Sequence, residues 1–239
     1  MGLLPSPTWG TLTSLALSYI LTLGVILIVE IASRSFNIPH YISRKIIHVF
    51  AGTYIFSLLY IFEQWEYLVF LTSSFVLLNF IFLQLKIFKS MDQENATLGT
   101  VYFAFSVTLL LWWFHEGWKQ GFPRGREYIA VAGIVAMTYG DAMASVIGKT
   151  YGRNGYQLIG TEGSRRTYEG SQAFFITTLI GVPFFWWLMS PPELTTTKYF
   201  SGALISACVG TALESVSPWG MDNLSVPLGV SLVLAILGY

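Results

Sequence analysis

Long apolar runs dominate this chain, and short polar segments break them at nearly regular intervals. About 20 apolar residues carry a helix across a bilayer core. Eight runs approach or reach that length: Thr11–Ile31, Ile47–Phe62, Glu66–Leu85, Thr100–Phe114, Tyr128–Ile147, Gln172–Met189, Tyr199–Leu213 and Leu224–Tyr239. The last two are short enough to be tilted or partly re-entrant, so about seven or eight spans are expected. No internal repeat or low-complexity tract interrupts the pattern. It predicts an all-α, polytopic transmembrane helical bundle with a Gly-rich cytoplasmic loop, forming a single membrane domain over residues 1–239.

Composition supports this reading. The 239 residues are 54% hydrophobic and only 11% charged, against about 25% charged in a soluble domain. Thirteen basic and thirteen acidic residues cancel, which argues against a nucleic-acid partner or a polybasic surface binder. Their placement says more than their sum. Nine basic residues fall in the first, third and fifth connections (Arg34, Arg44, Lys45; Lys86, Lys89; Lys149, Arg153, Arg165, Arg166). Four fall in the alternate ones (Lys119, Arg124, Arg126; Lys198). The positive-inside rule then places the odd connections in the cytoplasm and the N-terminus outside. One cysteine, Cys208, excludes an intrachain disulfide and a Cys-based zinc cluster, and three histidines (His40, His48, His115) leave little scope for a His-rich metal site. No Lys or Arg precedes Arg34, so a signal-peptide n-region is missing and the chain reads as mature from Met1.

The unusual polar segments lie in the odd connections, on one face. Arg44, Lys45 and His48 open the second span in SRKIIHVFAG, sharing a helical face with Gly52 a turn beyond. Arg and Lys at a span end serve commonly as interfacial anchors. His48 lies within the apolar run, where an ionisable group marks function by default. The fifth span carries Asp141 in MTYGDAMASVIGKTYG, behind the mostly apolar run Tyr128–Tyr139. A carboxylate there needs a cation, a metal or water beside it. Ala144, Ser145 and Gly148 continue its face as a small-residue stripe that admits a ligand or another helix, and Gly148-x-x-x-Gly152 suits helix packing alone.

The next segment, Lys149–Ser171, holds five glycines (Gly152, Gly155, Gly160, Gly163, Gly170), too many for a stable helix. Such backbone can turn N–H groups toward an anion, Ser171 is placed to cap the following span, and Arg165 and Arg166 offer planar forks for phosphate. No Walker or Rossmann loop is present. Glu169 beside the arginines, Glu214 at the end of the seventh span, and Asp222-Asn223 at the start of the eighth join Asp141 as four acids able to converge. Oxygen ligands of that kind suit Mg²⁺ carried with substrate phosphates; ordinary loop acids and a cap by Asp222 or Asn223 are the plainer account. Met91–Gly99 shares the face, but no spacing singles out Asp92, Glu94 or Asn95. The tryptophans Trp112, Trp113, Trp118, Trp186 and Trp187 read as interfacial belts.

In this order, from about residue 43 to the end, the segments resemble the family of CTP-dependent lipid kinases that act on phytol, dolichol or diacylglycerol. The family pattern Asp-x-x-Ala-x-x-x-Gly-x-x-x-Gly followed by basic-basic-Thr-x-Glu-Gly stands here as Asp141, Ala144, Gly148, Gly152, then Arg165, Arg166, Thr167, Glu169, Gly170. The opening Arg44-Lys45-x-x-His48 and Asp222-Asn223 near Pro227 also match its signatures. Two departures are visible: twelve residues separate Gly152 from Arg165, more than in dolichol kinases, and the basic pair is Arg-Arg instead of Lys-Lys. The compact length is similar to that of the phytol-specific members.

The resemblance implies a membrane kinase taking a phosphoryl group from CTP to an isoprenoid alcohol, with Mg²⁺. Asp141 and Glu169, supported by Asp222 or Glu214, are expected to hold the metal. Arg165 and Arg166, helped by Lys149 or Arg153, are expected to neutralise the triphosphate, with Arg44, Lys45 and His48 near the acceptor hydroxyl or the transferring phosphoryl group. Asp141 or His48 is the expected base. The competing enzyme reading is a CTP-dependent lipid-phosphate cytidylyltransferase, which releases pyrophosphate. A secondary transporter calls for an internal repeat, and a proton or ion conductor has no use for the Gly- and Arg-rich loop.

Overall fold

A computed structural model describes residues 5–88, 98–115, 125–157 and 166–239. It is an all-α bundle. The helices are α1 (Trp9–Phe36), α2 (His40–Ile61), α3 (Trp65–Leu85), α4 (Gly99–Trp113), α5 (Glu127–Val135), α6 (Asp141–Tyr151), α7 (Tyr168–Met189), α8 (Thr196–Val216) and α9 (Asp222–Ile236). A π-helical turn, Ala136–Gly140, joins α5 to α6 as one continuous span. Every apolar run expected from the sequence lies largely within a helix, and several helices extend past the run into polar residues. Six spans among the described residues are long and apolar enough to cross a membrane. The other two, α4 and α9, have 15 residues each. The protein is a multi-pass membrane protein.

The span from Glu127 to Tyr151 forms the centre. Its most apolar stretch is 78% buried, against 17% for α1 and for α3. Lipid tails are as apolar as leucine, so small residues and interhelical hydrogen bonds hold such a centre together. At Gly133 a Cβ would collide with the Pro227 carbonyl and the Ser231 hydroxyl, so α9 lies directly against α5. Ser231 donates to the Ile129 carbonyl (2.9 Å), and Ser106 of α4 to that of Asn223 (2.9 Å). Pro183 and Pro227 stand inside α7 and α9, as neighbouring helices in a membrane bundle permit.

Two expectations are corrected here. Trp186 is no belt residue: it is fully buried, its indole N–H donates to the Tyr128 carbonyl at 2.7 Å, and it packs edge-on against Tyr128 and Tyr199. Trp112, Trp113 and Trp187 are exposed on the outer surface, and Trp118 lies outside the described residues. The described ends of the Gly-rich segment are also less open than its glycines suggested, and Gly160 and Gly163 lie outside the described residues. Helix α6 continues through Lys149 to Tyr151, and β1 (Gly155–Tyr156) pairs antiparallel with β2 (Arg166–Thr167). Helix α7 then starts three residues before Ser171. Thr167 caps it, accepting from the Gly170 N–H at 3.1 Å, while Ser171 bonds the Tyr156 hydroxyl at 2.6 Å.

Candidate active site

The described parts of the first, fifth and seventh connections meet at one end of the bundle, as their polar residues led us to expect. A cavity of about 370 Å³ opens there between α2, α3, α4, α6 and the starts of α7 and α9. Its charged lining comprises Arg44, Lys45, Lys149 and Arg166 on the basic side and Asp141, Glu214 and Asp222 on the acidic side.

Asp141 obtains its position from the π turn. The widened turn is held in place by close approaches, since a Cβ at Gly52 would overlap the Thr138 side chain, and one at Gly140 would meet Thr178 and Phe174. Helix α2 therefore lies flush against the turn, with Lys45 and His48 facing Asp141. Turns of this kind occur often at functional sites. Lys45 Nζ and Asp141 Oδ2 form an ion pair buried from solvent, which supplies the cation that a carboxylate at this depth requires. His48 Nε2 lies 3.7 Å from the same oxygen and 3.1 Å from the Met137 carbonyl. A carbonyl only accepts, so Nε2 carries a hydrogen and Nδ1 keeps the lone pair in the neutral ring. The ring packs on Phe103, centroids 4.5 Å apart.

Arg166 organises a second cluster. Its Nη1 is 2.6 Å from Glu214 Oε1 and its Nη2 3.2 Å from Asp222 Oδ2, and Nη2 also donates to the Ser217 carbonyl at 3.1 Å. Burial on its own lowers the guanidinium pKa, but Glu214, Asp222 and Asp141 together raise it above its ordinary value. The group stays cationic. The guanidinium Nε and Glu214 Oε2 are buried without a partner among the described residues. Arg44 lines the cavity and has no ion-pair partner among the described residues.

Other candidates take different places. Thr167, Gly170 and Ser171 bring the start of α7 to the cavity, beside Ala144, Ser145 and Gly148 of α6. Gly148 and Gly170 are also the crossing point of the two helices, because a Cβ on Gly170 would strike the Ala144 carbonyl and Thr167. Gly152 does not reach the lining; a side chain there would collide with the Gly148 carbonyl and the Thr167 methyl. Glu169 also stays outside the lining. Its Oε1 accepts from the Asn154 N–H and Nδ2, each at 3.2 Å, so it braces β1 against α7. Three of the four expected acids therefore converge. Arg153 is exposed and apart from the lining. Arg165, Asp92, Glu94 and Asn95 lie outside the described residues.

Sequence reasoning passed over Asn79, whose Nδ2 donates to the Thr100 carbonyl at 3.2 Å on the cavity wall. A lone amide inside an apolar run was the available signal. Phe103 carried none, since one aromatic among many in a membrane helix stands out by nothing.

Against known proteins, the chain is 28% identical over 215 residues to a phytol kinase from Synechocystis sp., an alignment covering 88% of this chain and 85% of that protein. By sequence, this chain resembles phytol kinase. The resemblance drawn from the motifs is thereby upheld along nearly the whole chain. No family model and no solved structure matches it.

The donor set can be weighed for Mg²⁺. Among the described residues no three His, Cys, Asp or Glu side chains are disposed as a metal-holding group. Mg²⁺ that arrives with a nucleotide needs only one or two protein carboxylates, the phosphates and water supplying the rest. Asp141, Asp222 and Glu214, with its partnerless Oε2, fit that smaller demand.

Proposed function

We propose that this protein is a membrane-embedded kinase that transfers the terminal phosphoryl group of CTP to the hydroxyl of an isoprenoid alcohol, phytol foremost. One observation carries the reading: a single cavity joins a cluster of acids and bases at its mouth to an apolar interior. A soluble polyphosphate and a lipid hydroxyl can meet only where both solvents are represented. The similarity to phytol kinase supports the acceptor class, and the motif resemblance supports CTP as donor.

In the reaction the alcohol oxygen attacks the γ-phosphorus. An O–P bond forms, the bridging bond to the β-phosphate breaks, CDP departs, and the hydroxyl proton passes to Asp141 or His48. Phosphoryl transfer is chiefly positioning and charge neutralisation. Arg44 and the start of α7 receive phosphate oxygens, the latter through its N–H groups and dipole. Arg166 offers its free Nε while holding Glu214 and Asp222 in place, and Arg165 adds a second fork. Lys45 holds the Asp141 carboxylate toward the acceptor. Mg²⁺, held by Asp141, Glu214 or Asp222, would offset the charge that three carboxylates and a triphosphate bring together. The site faces the cytoplasm in this reading, where CTP resides; the distribution of basic residues among the connections supports that side.

The test is a membrane assay with γ-labelled CTP and phytol, farnesol, dolichol and diacylglycerol as acceptors. Label in lipid phosphate together with released CDP is the expected result. Pyrophosphate in place of CDP would identify a cytidylyltransferase, and no transfer to any acceptor would end the kinase reading.

A further inference from the structure

The cavity does not stop at the charged cluster. Along α2 its lining runs from Arg44 to Leu58, which at 1.5 Å per residue is a depth of roughly 20 Å. Helix α3 descends beside it from Asn79 to Leu71, and α4 from Gly99 to Val107. Past Phe103, which packs against His48, the walls are almost wholly carbon. The Thr72 hydroxyl donates within α3 to the Leu68 carbonyl at 3.1 Å, and the Tyr54 hydroxyl to Ser18 at 3.1 Å. These two hydroxyls are already satisfied, so neither calls for water. Leu58, Leu71 and Val107 form its end, at 3%, 1% and 1% exposure. One turn deeper on each helix, Phe62, Leu68 and Leu111 are buried and no longer line the cavity.

We infer that the acceptor's hydrocarbon tail is held inside the protein, in this arm between α2, α3 and α4, and that Leu58, Leu71 and Val107 set the longest tail accepted. The inference rests on the kinase reading and deepens it. An alcohol whose hydroxyl sits by Asp141 and His48 has its tail directed past Phe103, and the arm begins there. Its apolar walls and blind end fit a linear isoprenoid chain. A tail left in the bilayer meets no limit on length; a tail in a blind-ended arm does.

Purified full-length protein in nanodiscs is assayed with geraniol, farnesol, phytol and longer linear prenols. For wild type, the rate is expected to rise with tail length and then fall sharply. Val107→Phe shortens the arm and should raise the farnesol-to-phytol rate ratio by ~10-fold, the order expected for a misfitting group in an apolar pocket. Leu71→Ala should move the limit the other way. Because either variant can fail to fold, wild type is also photolabelled with an isoprenoid alcohol carrying a diazirine at its tail end. Label on peptides containing Leu58, Leu71 or Val107 supports the inference; label on outward-facing Leu77 or Ile81 of α3 overturns it. An unchanged length profile in folded variants also overturns it, while leaving the kinase reading standing. Absence of transfer by wild type to every alcohol removes both.

Discussion

Two ion-pair clusters face the cavity, and they are built on different plans. Lys45, His48 and Asp141 meet across two membrane spans, α2 and the continuous span Glu127–Tyr151, inside the length of each. Arg166, Glu214 and Asp222 meet where the chain reverses, at the starts of α7 and α9 and the end of α8. In the first cluster every member has a proton to give or a lone pair to take one. In the second, the cation is an arginine whose charge its acidic neighbours reinforce, held by a planar fork to two carboxylates. In the proposed reaction the first cluster moves the proton, while the second holds a fixed charge that keeps three helix ends together and meets the nucleotide.

The comparison can be broken most directly at Asp141. Asp141→Asn keeps the shape and should lower transfer by ~10³-fold, within the range for a lost general base, with the protein still expressed; retention of wild-type rates in the labelled-CTP assay would contradict the division. Lys45→Met leaves the Asp141 carboxylate buried without its cation. It should cost about 3 kcal/mol in thermal unfolding in detergent. Lys45→Met combined with Asp141→Leu should recover most of that loss while remaining inactive, since an apolar pair replaces a buried ion pair well.

Arg166→Lys is the sharper probe of the second cluster. It preserves charge but loses the fork, and should cost about 2 kcal/mol of stability. If the cluster serves the nucleotide and not the proton, the nucleotide KM rises with little change in the pH profile of kcat. A shifted pH profile would instead bring Arg166 into the proton chemistry. The smallest effect is expected at Thr167, whose hydroxyl caps α7 beside this cluster. Thr167→Ala should cost about 1 kcal/mol and Thr167→Ser much less, read as a small drop in Tm.

Much of the bundle was legible beforehand because hydropathy acts residue by residue. Each apolar run found its helix, and the asymmetric connections marked the end where the polar residues gather. The motif residues were legible as a string, but their duties were not. Gly152 and Glu169 belong to the string and stand outside the cavity, one giving α6 and Thr167 room and the other bracing β1. Ser171 looked like a cap because it stood directly before the apolar run Gln172–Met189; Thr167 took the role once β2 fixed an extended residue directly ahead of the helix. Trp186 carries the same side chain as Trp187, and only helix rotation sends one inward and the other to the surface.

The order of the amino acids alone determined that this chain crosses a membrane several times and collects its charges at one end, because transfer from water to lipid depends on composition over a short window. Only the tertiary structure decided that Lys45 meets Asp141, 96 positions away, and that an apolar arm descends from that meeting point. Both depend on how helices rotate and lie beside one another. Close packing between small residues decides that, and it has no expression in any one stretch of sequence.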